Sequence, residues 1–492
     1  MLKTTLRAFT VLLLCCALDS NAPAQTQPTS QDKDAQALLR RAWDVMGAPR
    51  ASGKLVHYRS ASSLEQDYQS DRMYPPYLAF LQDEEIWFSA ETAVERTRAA
   101  FAYPLSKPVA SVVLTDANRA FTERNGTLQI SPRNVMQARY LNPWLVVADW
   151  LKAGDARISG TETYRDYPRT VLVRNTPEGE QRLFLDPKTG FPVKLDFVQK
   201  HYLWGQQHIE FLYTTWQAAQ GISLPCASYL LADGAPEVTR TITEIELVAA
   251  DSSPSLALPT EPARSEDTLP RFLQALPLKV TQVGPATYLL TNPGYSEAVT
   301  RIGDEVFLFD ATQSEARARE DAEAIEKLFP GSRKITVVVT DLAWPHVSGL
   351  RYWVANGATV VSHKAARNFL QQVIDRRWTL SPDYLEQHRK GVKLKFVGVD
   401  GAYSLAGGAI TVHPIDGIAS EVALMAFLKA DGFLWASDFV QTVDEPTQYA
   451  SEVWQAVQRE GLHPERTAAE HLPLTPWSKI ATLQHQENPV GE

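Results

Sequence analysis

An α+β protein made in two parts is what this sequence predicts, and three observations carry the prediction. At 492 residues the chain is longer than a single hydrophobic core ordinarily serves. The stretch 249–270 holds Ser252-Ser253-Pro254, Pro259, Pro262 and Pro270 among acidic residues and has no apolar period, which marks a linker. Ahead of it, after one opening helix, the apolar pattern is mostly that of strands; behind it, helix and strand patterns alternate.

Composition narrows the function classes. Hydrophobic residues at 44% and charged residues at 21% are ordinary for a globular chain. A net charge of −9 argues against general nucleic-acid binding, which needs a basic surface. Lys3 and Arg7 precede the apolar run 8–18, and Ala22-Pro23-Ala24 offers small residues at a cleavage position, so 1–24 reads as a signal peptide. That run is shorter than the ~20 residues a membrane span needs, so no span is expected and the destination is periplasmic or secreted. The mature chain then keeps one cysteine, Cys226, which follows Leu224-Pro225 and is expected to be a buried, inert thiol.

The elements follow in order. Over 30–47, Ala35, Leu38, Leu39, Ala42, Trp43 and Met46 fall at helical spacing, with Gly47 as the stop. Asn125-Gly126 within 121–130 is a two-residue hairpin signal. A helical stretch is expected over 135–152, bent or split by Pro143. Strands follow at 170–173, 181–185, 191–197 and 209–216, with Asp186-Pro187-Lys188-Thr189-Gly190 as a turn. After the linker, strands are expected at 280–290, 298–302, 305–309 and 334–340, with a helix over 315–329. Strands at 359–362, 392–397, 409–413, 423–428 and 433–436 and a helix over 364–377 complete the series.

The first part resembles the LolA-like family of lipoprotein carriers. The resemblance rests on the opening helix, on Leu185-Asp186-Pro187-Lys188-Thr189-Gly190-Phe191-Pro192-Val193, and on Tyr213 to Trp216 with Gly221-Ile222-Ser223-Leu224-Pro225. It implies a curved antiparallel half-barrel with helices over 33–250, enclosing an apolar groove for a lipid. The alternative is that the same curved sheet is only a scaffold packed against the next domain, since its motifs mark turns and carry no chemistry.

The second part is organised around Val337-Val338-Val339-Thr340-Asp341-Leu342-Ala343-Trp344-Pro345-His346-Val347-Ser348-Gly349-Leu350. Here the chain resembles the metallo-β-lactamase superfamily, whose buried strand ends in Thr-His-x-His-x-Asp-His before a helix. The order of strands and helices over 275–480 implies that family's αββα sandwich. With 1–24 as leader, 251–274 as linker and 481–492 as tail, the domain plan is complete.

The family's ligands carry over unevenly. Asp341 and Ala343 stand where the first two histidines would be, Pro345 where the aspartate would be, and only His346 matches. A third histidine of the first metal falls at about Ala419, so that site is lost; His413, six residues upstream, is expected to be a plain strand-end histidine. Asp438, ending Gly432-Phe433-Leu434-Trp435-Ala436-Ser437-Asp438, matches the bridging aspartate, and His471 lies where the late histidine does. Asp310 matches the aspartate that supports the metal loop. The resemblance therefore implies one divalent ion, zinc by its donors, held by His346, Asp438 and His471 with Asp341 as a fourth group. Two histidines bonded to Asp438 without an ion would leave the same sequence. Two functions stand: an exported hydrolase with a degenerate, mononuclear metal site acting on a small molecule, or a non-catalytic cell-envelope protein that binds lipid or lipoprotein through its first domain. The superfamily's substrates span lactams, thioesters, phosphodiesters and persulfides, and the fold does not choose among them.

Overall fold

The computed structural model describes residues 30–65, 79–102, 109–130, 138–177, 179–260, 277–292, 294–332, 334–417, 422–444 and 446–487. The expected signal peptide and the position near Ala419 lie outside these residues.

The first part is one antiparallel sheet of thirteen strands. Its first strand, Lys54–Glu65, pairs with its last, Ala235–Ala249, so the sheet begins and ends at its middle. Strands of residues 79–130 extend it to one side and those of 157–232 to the other. The helix Ser30–Met46 sets Ala35, Leu39, Ala42 and Met46 into the core over this sheet, and the helix Pro143–Ala153 adds Trp144, Leu145, Val147 and Trp150. Trp144 fixes their meeting point, edge-on to Trp43 at 5.4 Å and to Phe88 at 5.5 Å, with its ring N–H donated to the Ser223 carbonyl.

One charged pair sits within that buried face. Arg240 donates from Nε and Nη2 to the two oxygens of Glu84, each at 2.8 Å, and the Ser60 and Ser62 hydroxyls also donate to Glu84. These bonds hold the Glu84 carboxyl below its usual pKa although burial opposes them.

The second part packs a seven-stranded sheet, in strand order from Lys279–Gly284 to Lys395–Val399, on a six-stranded one that runs from Tyr403–Leu405 to Thr475–Pro476. Phe307, Phe309, Val338 and Val361 of one sheet meet Val412, Leu424, Ala426 and Trp435 of the other. Side chains alternate between faces as strands require: Val338 points to the partner sheet, while Val337 and Val339 join the helices Glu315–Leu328, Leu350–Ala355 and Arg367–Asp375. The helices Gln448–Arg459 and Trp477–Glu487 cover the six-stranded sheet from outside. The layers thus run helix, sheet, sheet, helix.

A turn of the first sheet docks on the second part. Leu203 is buried among the helices there, Trp204 stands edge-on to Phe369 at 5.5 Å, and Arg376 donates to the carbonyls of Trp204 and Gln206. Gly205 needs its positive φ of 67° and its missing side chain, since a Cβ would sit 2.2 Å from the Trp378 ring.

The helical stretch expected over 135–152 is divided at Pro143: a 3₁₀ turn at 138–141 precedes the helix Pro143–Ala153, which Asn142 caps and Pro143 opens because the first helical position needs no N–H. Three expectations change. The expected strand 280–290 is a hairpin, Lys279–Gly284 and Thr287–Asn292, which turns at Pro285-Ala286. The strand expected at 392–397 is Lys395–Val399, and Cys226 is half-buried on Ile222–Ala232. Replacing Arg240 by Met keeps the volume and strands a buried carboxylate. The variant is expected to lose about 3 kcal/mol of unfolding free energy in denaturant titration, part of which Glu84→Gln should restore.

Candidate metal centre

The site is built where strand ends of both sheets meet. After Lys334–Val338 the chain leaves the sheet, turns at 339–343, and enters the short helical segment Trp344–Val347, in which Pro345 occupies an early position that needs no N–H. His346, fully buried, is fixed at both backbone atoms: its N–H donates to the Ala343 carbonyl at 2.9 Å and its carbonyl accepts from Ala311 at 3.1 Å. The Ala311 carbonyl in turn accepts from Gly349 at 2.8 Å, where a Cβ would meet that oxygen at 3.1 Å.

Asp310 anchors the loop. Its carboxylate accepts the Thr340 N–H at 2.6 Å, the Thr340 hydroxyl at 2.5 Å and the Trp435 ring N–H at 2.8 Å. Burial pushes its pKa up to about 7, and the Thr340 donors restrain the rise. The backbone is held in the left-handed region at Asp310 (φ 70°), Gln313 (φ 66°) and Ser437 (φ 55°), three side-chain-bearing residues near one site.

The structure brings His346, Asp438 and His471 together, with one donor atom of each lying within 4.8 Å of the others. His346 Nε2 is 3.5 Å from Asp438 Oδ2, and His471 Nε2 is 3.3 Å from Asp438 Oδ1. Neither His346 Nε2 nor Asp438 Oδ1 makes a hydrogen bond, although both are buried. Ligands of a tetrahedral ion with bonds of ~2.0–2.1 Å lie roughly 3.3–3.4 Å apart, and each imidazole stands at about that distance from one oxygen of Asp438, His346 from Oδ2 and His471 from Oδ1. Of the other ring nitrogens, His471 Nδ1 donates to the Gly294 carbonyl at 2.6 Å, while His346 Nδ1 lies against the Glu470 carboxylate in an ion-pair contact without a hydrogen bond. With both Nδ1 atoms facing acceptors, the Nε2 lone pairs are the ones aimed at Asp438. The donor set therefore fits a single divalent ion.

Glu470 is the residue that sequence reasoning missed. It is buried, its N–H donates to the Ser437 carbonyl at 3.0 Å, and its own carbonyl accepts from Ser296 at 2.7 Å. One residue thus ties together the segments that carry His346, Asp438 and Tyr295. The available signal was an acid in the apolar run Ala468-Ala469-Glu470-His471-Leu472, next to a candidate ligand.

Asp341 lies outside the group of three but within its field. One of its oxygens accepts the Ala343 N–H at 2.5 Å. Packing around its carboxyl raises its pKa, an effect that His346 partly offsets. Burial pulls the His346 pKa down, but the carboxylates of Asp438, Asp341 and Asp310 outweigh it and the net shift is upward. The Tyr295 ring stands 4.7 Å from that of His471 and 5.8 Å from that of His346; burial and Asp438 push its hydroxyl pKa up to about 12. His413 is elsewhere, paired with Glu460 at 3.0 Å.

A second cluster, Asp196, His208 and Glu210, lies on the first sheet. Lys194 already occupies it, with its ammonium 2.6 Å from Asp196 and 3.2 Å from Glu210, so the carboxylates have their cation.

Asp310 gives a testable pH dependence in metal-free protein. Its folded pKa of about 7 lies above the ordinary value of ~3.9. The stability it contributes is full below that ordinary value and is lost as pH rises through about 7, at no more than ~1.4 kcal/mol per pH unit. Denaturant titrations from acid to neutral pH should show this fall, and Asp310→Asn should flatten it.

No protein-family model matches the chain, and no curated protein is similar to it. Solved structures similar to it include metallo-β-lactamases. The DIM-1 enzyme is 12% identical over 44% of this chain and 100% of its own, with a TM-score of 0.34. The enzyme from Pontibacter korlensis is 14% identical over 43% of this chain and 100% of its own, also with a TM-score of 0.34. The enzyme from Erythrobacter litoralis is 11% identical over 43% of this chain and 96% of its own, again at 0.34.

Proposed function

We propose that this protein is an exported, metal-dependent hydrolase with one ion, zinc, held by His346, Asp438 and His471. The observation that carries the reading is the orientation of the two imidazoles: each has its Nδ1 at an acceptor and its Nε2 turned to the same carboxylate. As hydrogen-bond partners of Asp438, both rings would carry a second proton, a form the neighbouring carboxylates favour at His346; as ligands, both stay neutral. In the same reading, residues 33–250 form a LolA-like half-barrel domain and 275–480 a metallo-β-lactamase-like domain. The pairing of Lys54–Glu65 with Ala235–Ala249 supports a self-contained first unit.

A divalent ion here would lower the pKa of bound water and polarise a carbonyl oxygen as a Lewis acid. The chain's own residues supply the rest. Glu470 fixes the His346 tautomer and makes its Nε2 a stronger donor. The Tyr295 ring walls one side of the two imidazoles, of which His346 is buried and His471 exposed. Asp341, with one oxygen on the Ala343 N–H, keeps its other oxygen as an acceptor for a proton of the attacking water. In the net reaction the water oxygen bonds to the acyl carbon, the bond to the leaving alcohol, thiol or amine breaks, and the water proton ends on that group.

Metal analysis of the full-length protein tests this. Wild type should carry about one equivalent of zinc, and His346→Ala and His471→Ala should each purify folded and without it. Folded wild type with no zinc, unable to take it up from solution, would sink the proposal in favour of a non-catalytic lipid- or lipoprotein-binding role. Glu470→Gln keeps the shape and removes the charge. It should weaken zinc affinity by about 10–100-fold in chelator competition, with Glu470→Asp recovering part of the loss.

A further inference from the structure

Asp438 offers two oxygens to the centre, and the chain treats them differently. Oδ2 accepts the side-chain amide N–H of Gln441 at 3.0 Å. Oδ1 is buried and accepts no hydrogen bond, with His471 Nε2 standing 3.3 Å away. His346 Nε2 lies on the other side, 3.5 Å from Oδ2. One oxygen therefore has an amide donor of the chain, and the other keeps its lone pairs.

The turn that carries Asp438 sets the reach of Gln441. Ser437 holds a positive φ of 55°, and the Phe439 N–H donates to the Ala436 carbonyl at 3.2 Å. Phe439 and Val440 are buried, so the chain is anchored between the two polar residues and returns the Gln441 amide to the carboxylate three positions on. Gln441 itself is exposed. An exposed glutamine gives up rotamer freedom to hold such a bond, and the core gains no packing from it. What the bond fixes is the orientation of the Asp438 carboxylate.

That orientation matters for an ion. A carboxylate binds a metal through one oxygen or chelates it through both, and chelation fills a position that a hydrolytic site needs for water. Catalytic zinc sites keep three protein ligands and one open position. An N–H on one carboxylate oxygen fixes the plane of the group and competes for the lone pairs there, which favours binding through the other oxygen. The approach of His346 Nε2 to Oδ2 shows how near the second oxygen stands to joining in.

Resting on the hydrolase reading, we infer that Gln441 is a positioning residue that holds Oδ2 of Asp438 off the ion, so that Oδ1 alone binds and one coordination position stays open for water. Glu470 then orients one imidazole from behind, and Gln441 does the same for the carboxylate.

The test uses full-length protein loaded with about one equivalent of cobalt, whose visible absorption is strong at four-coordinate sites and weak at five- or six-coordinate ones. Wild type should give the strong spectrum. Gln441→Met keeps the length of the side chain and removes the donor; it should still take up cobalt, with the absorption lowered severalfold as Oδ2 joins the ion. Gln441→Arg changes shape and charge but keeps N–H groups for Oδ2, and should retain the strong spectrum. Unfolding midpoints of the metal-free variants should match wild type, because the residue is exposed. A weak wild-type spectrum, or an unchanged one in Gln441→Met, overturns the inference and leaves the metal reading intact. A spectrum weakened equally in both variants also overturns it, since the donor is then not what matters. Failure of folded wild type to bind cobalt removes the metal reading, and this inference with it.

Discussion

A single carboxylate, that of Asp310, joins the two sheets of the second part at the edge where the site is built. It receives Thr340 from the end of one sheet and Trp435 from the other, so three donors converge on an anion with no countercharge in contact. Burial works against such an anion and the donors work for it. The arrangement fixes where the chain leaves the strand Lys334–Val338, and so where Asp341 and His346 begin. Through Trp435 it also sets the segment that reaches Asp438. His346, Asp438 and His471 come from separate stretches of chain, and this buried contact is what gives those stretches a common origin.

Parts of this were legible in the sequence, and the reasons differ from place to place. Asn125-Gly126 was readable because both residues must adopt positive φ, 52° and 74°, in a two-residue turn. Val337-Val338-Val339 was readable because a strand covered on both faces is apolar throughout. The strands Lys54–Glu65 and Ala79–Phe88 were hidden, because the buried face carries Ser60, Ser62 and Glu84, and a polar inner face erases the alternation that marks a strand. At the centre, His346, Asp438 and His471 could be named from their order along the chain. Glu470 could not, since nothing local says that its side chain will arrive at a ring nitrogen contributed from more than a hundred residues away. The break at Pro285-Ala286 was missed because the apolar pattern of 280–290 runs on through the turn.

The two imidazoles also differ in what lies behind them. His471 relies on a backbone carbonyl and His346 on a carboxylate, so the two are unequal donors even though both present Nε2. A carbonyl is neutral and holds orientation only; a carboxylate adds charge to the ring it faces. The His346 side of the centre is thus buried and faces a charge, whereas the side of His471 is closer to solvent.

The way the first sheet is wound bears on how the chain comes to be folded at all. Lys54–Glu65 is completed only by Ala235–Ala249, the last strand of the unit, so the middle of the sheet is open until nearly everything between has been made. During that interval both inner neighbours expose unpaired backbone edges, which invite association with other chains. Such distant pairing favours slow, late closure, and a holding partner that shields those edges during synthesis would matter more for this half of the molecule than for the layered half that follows.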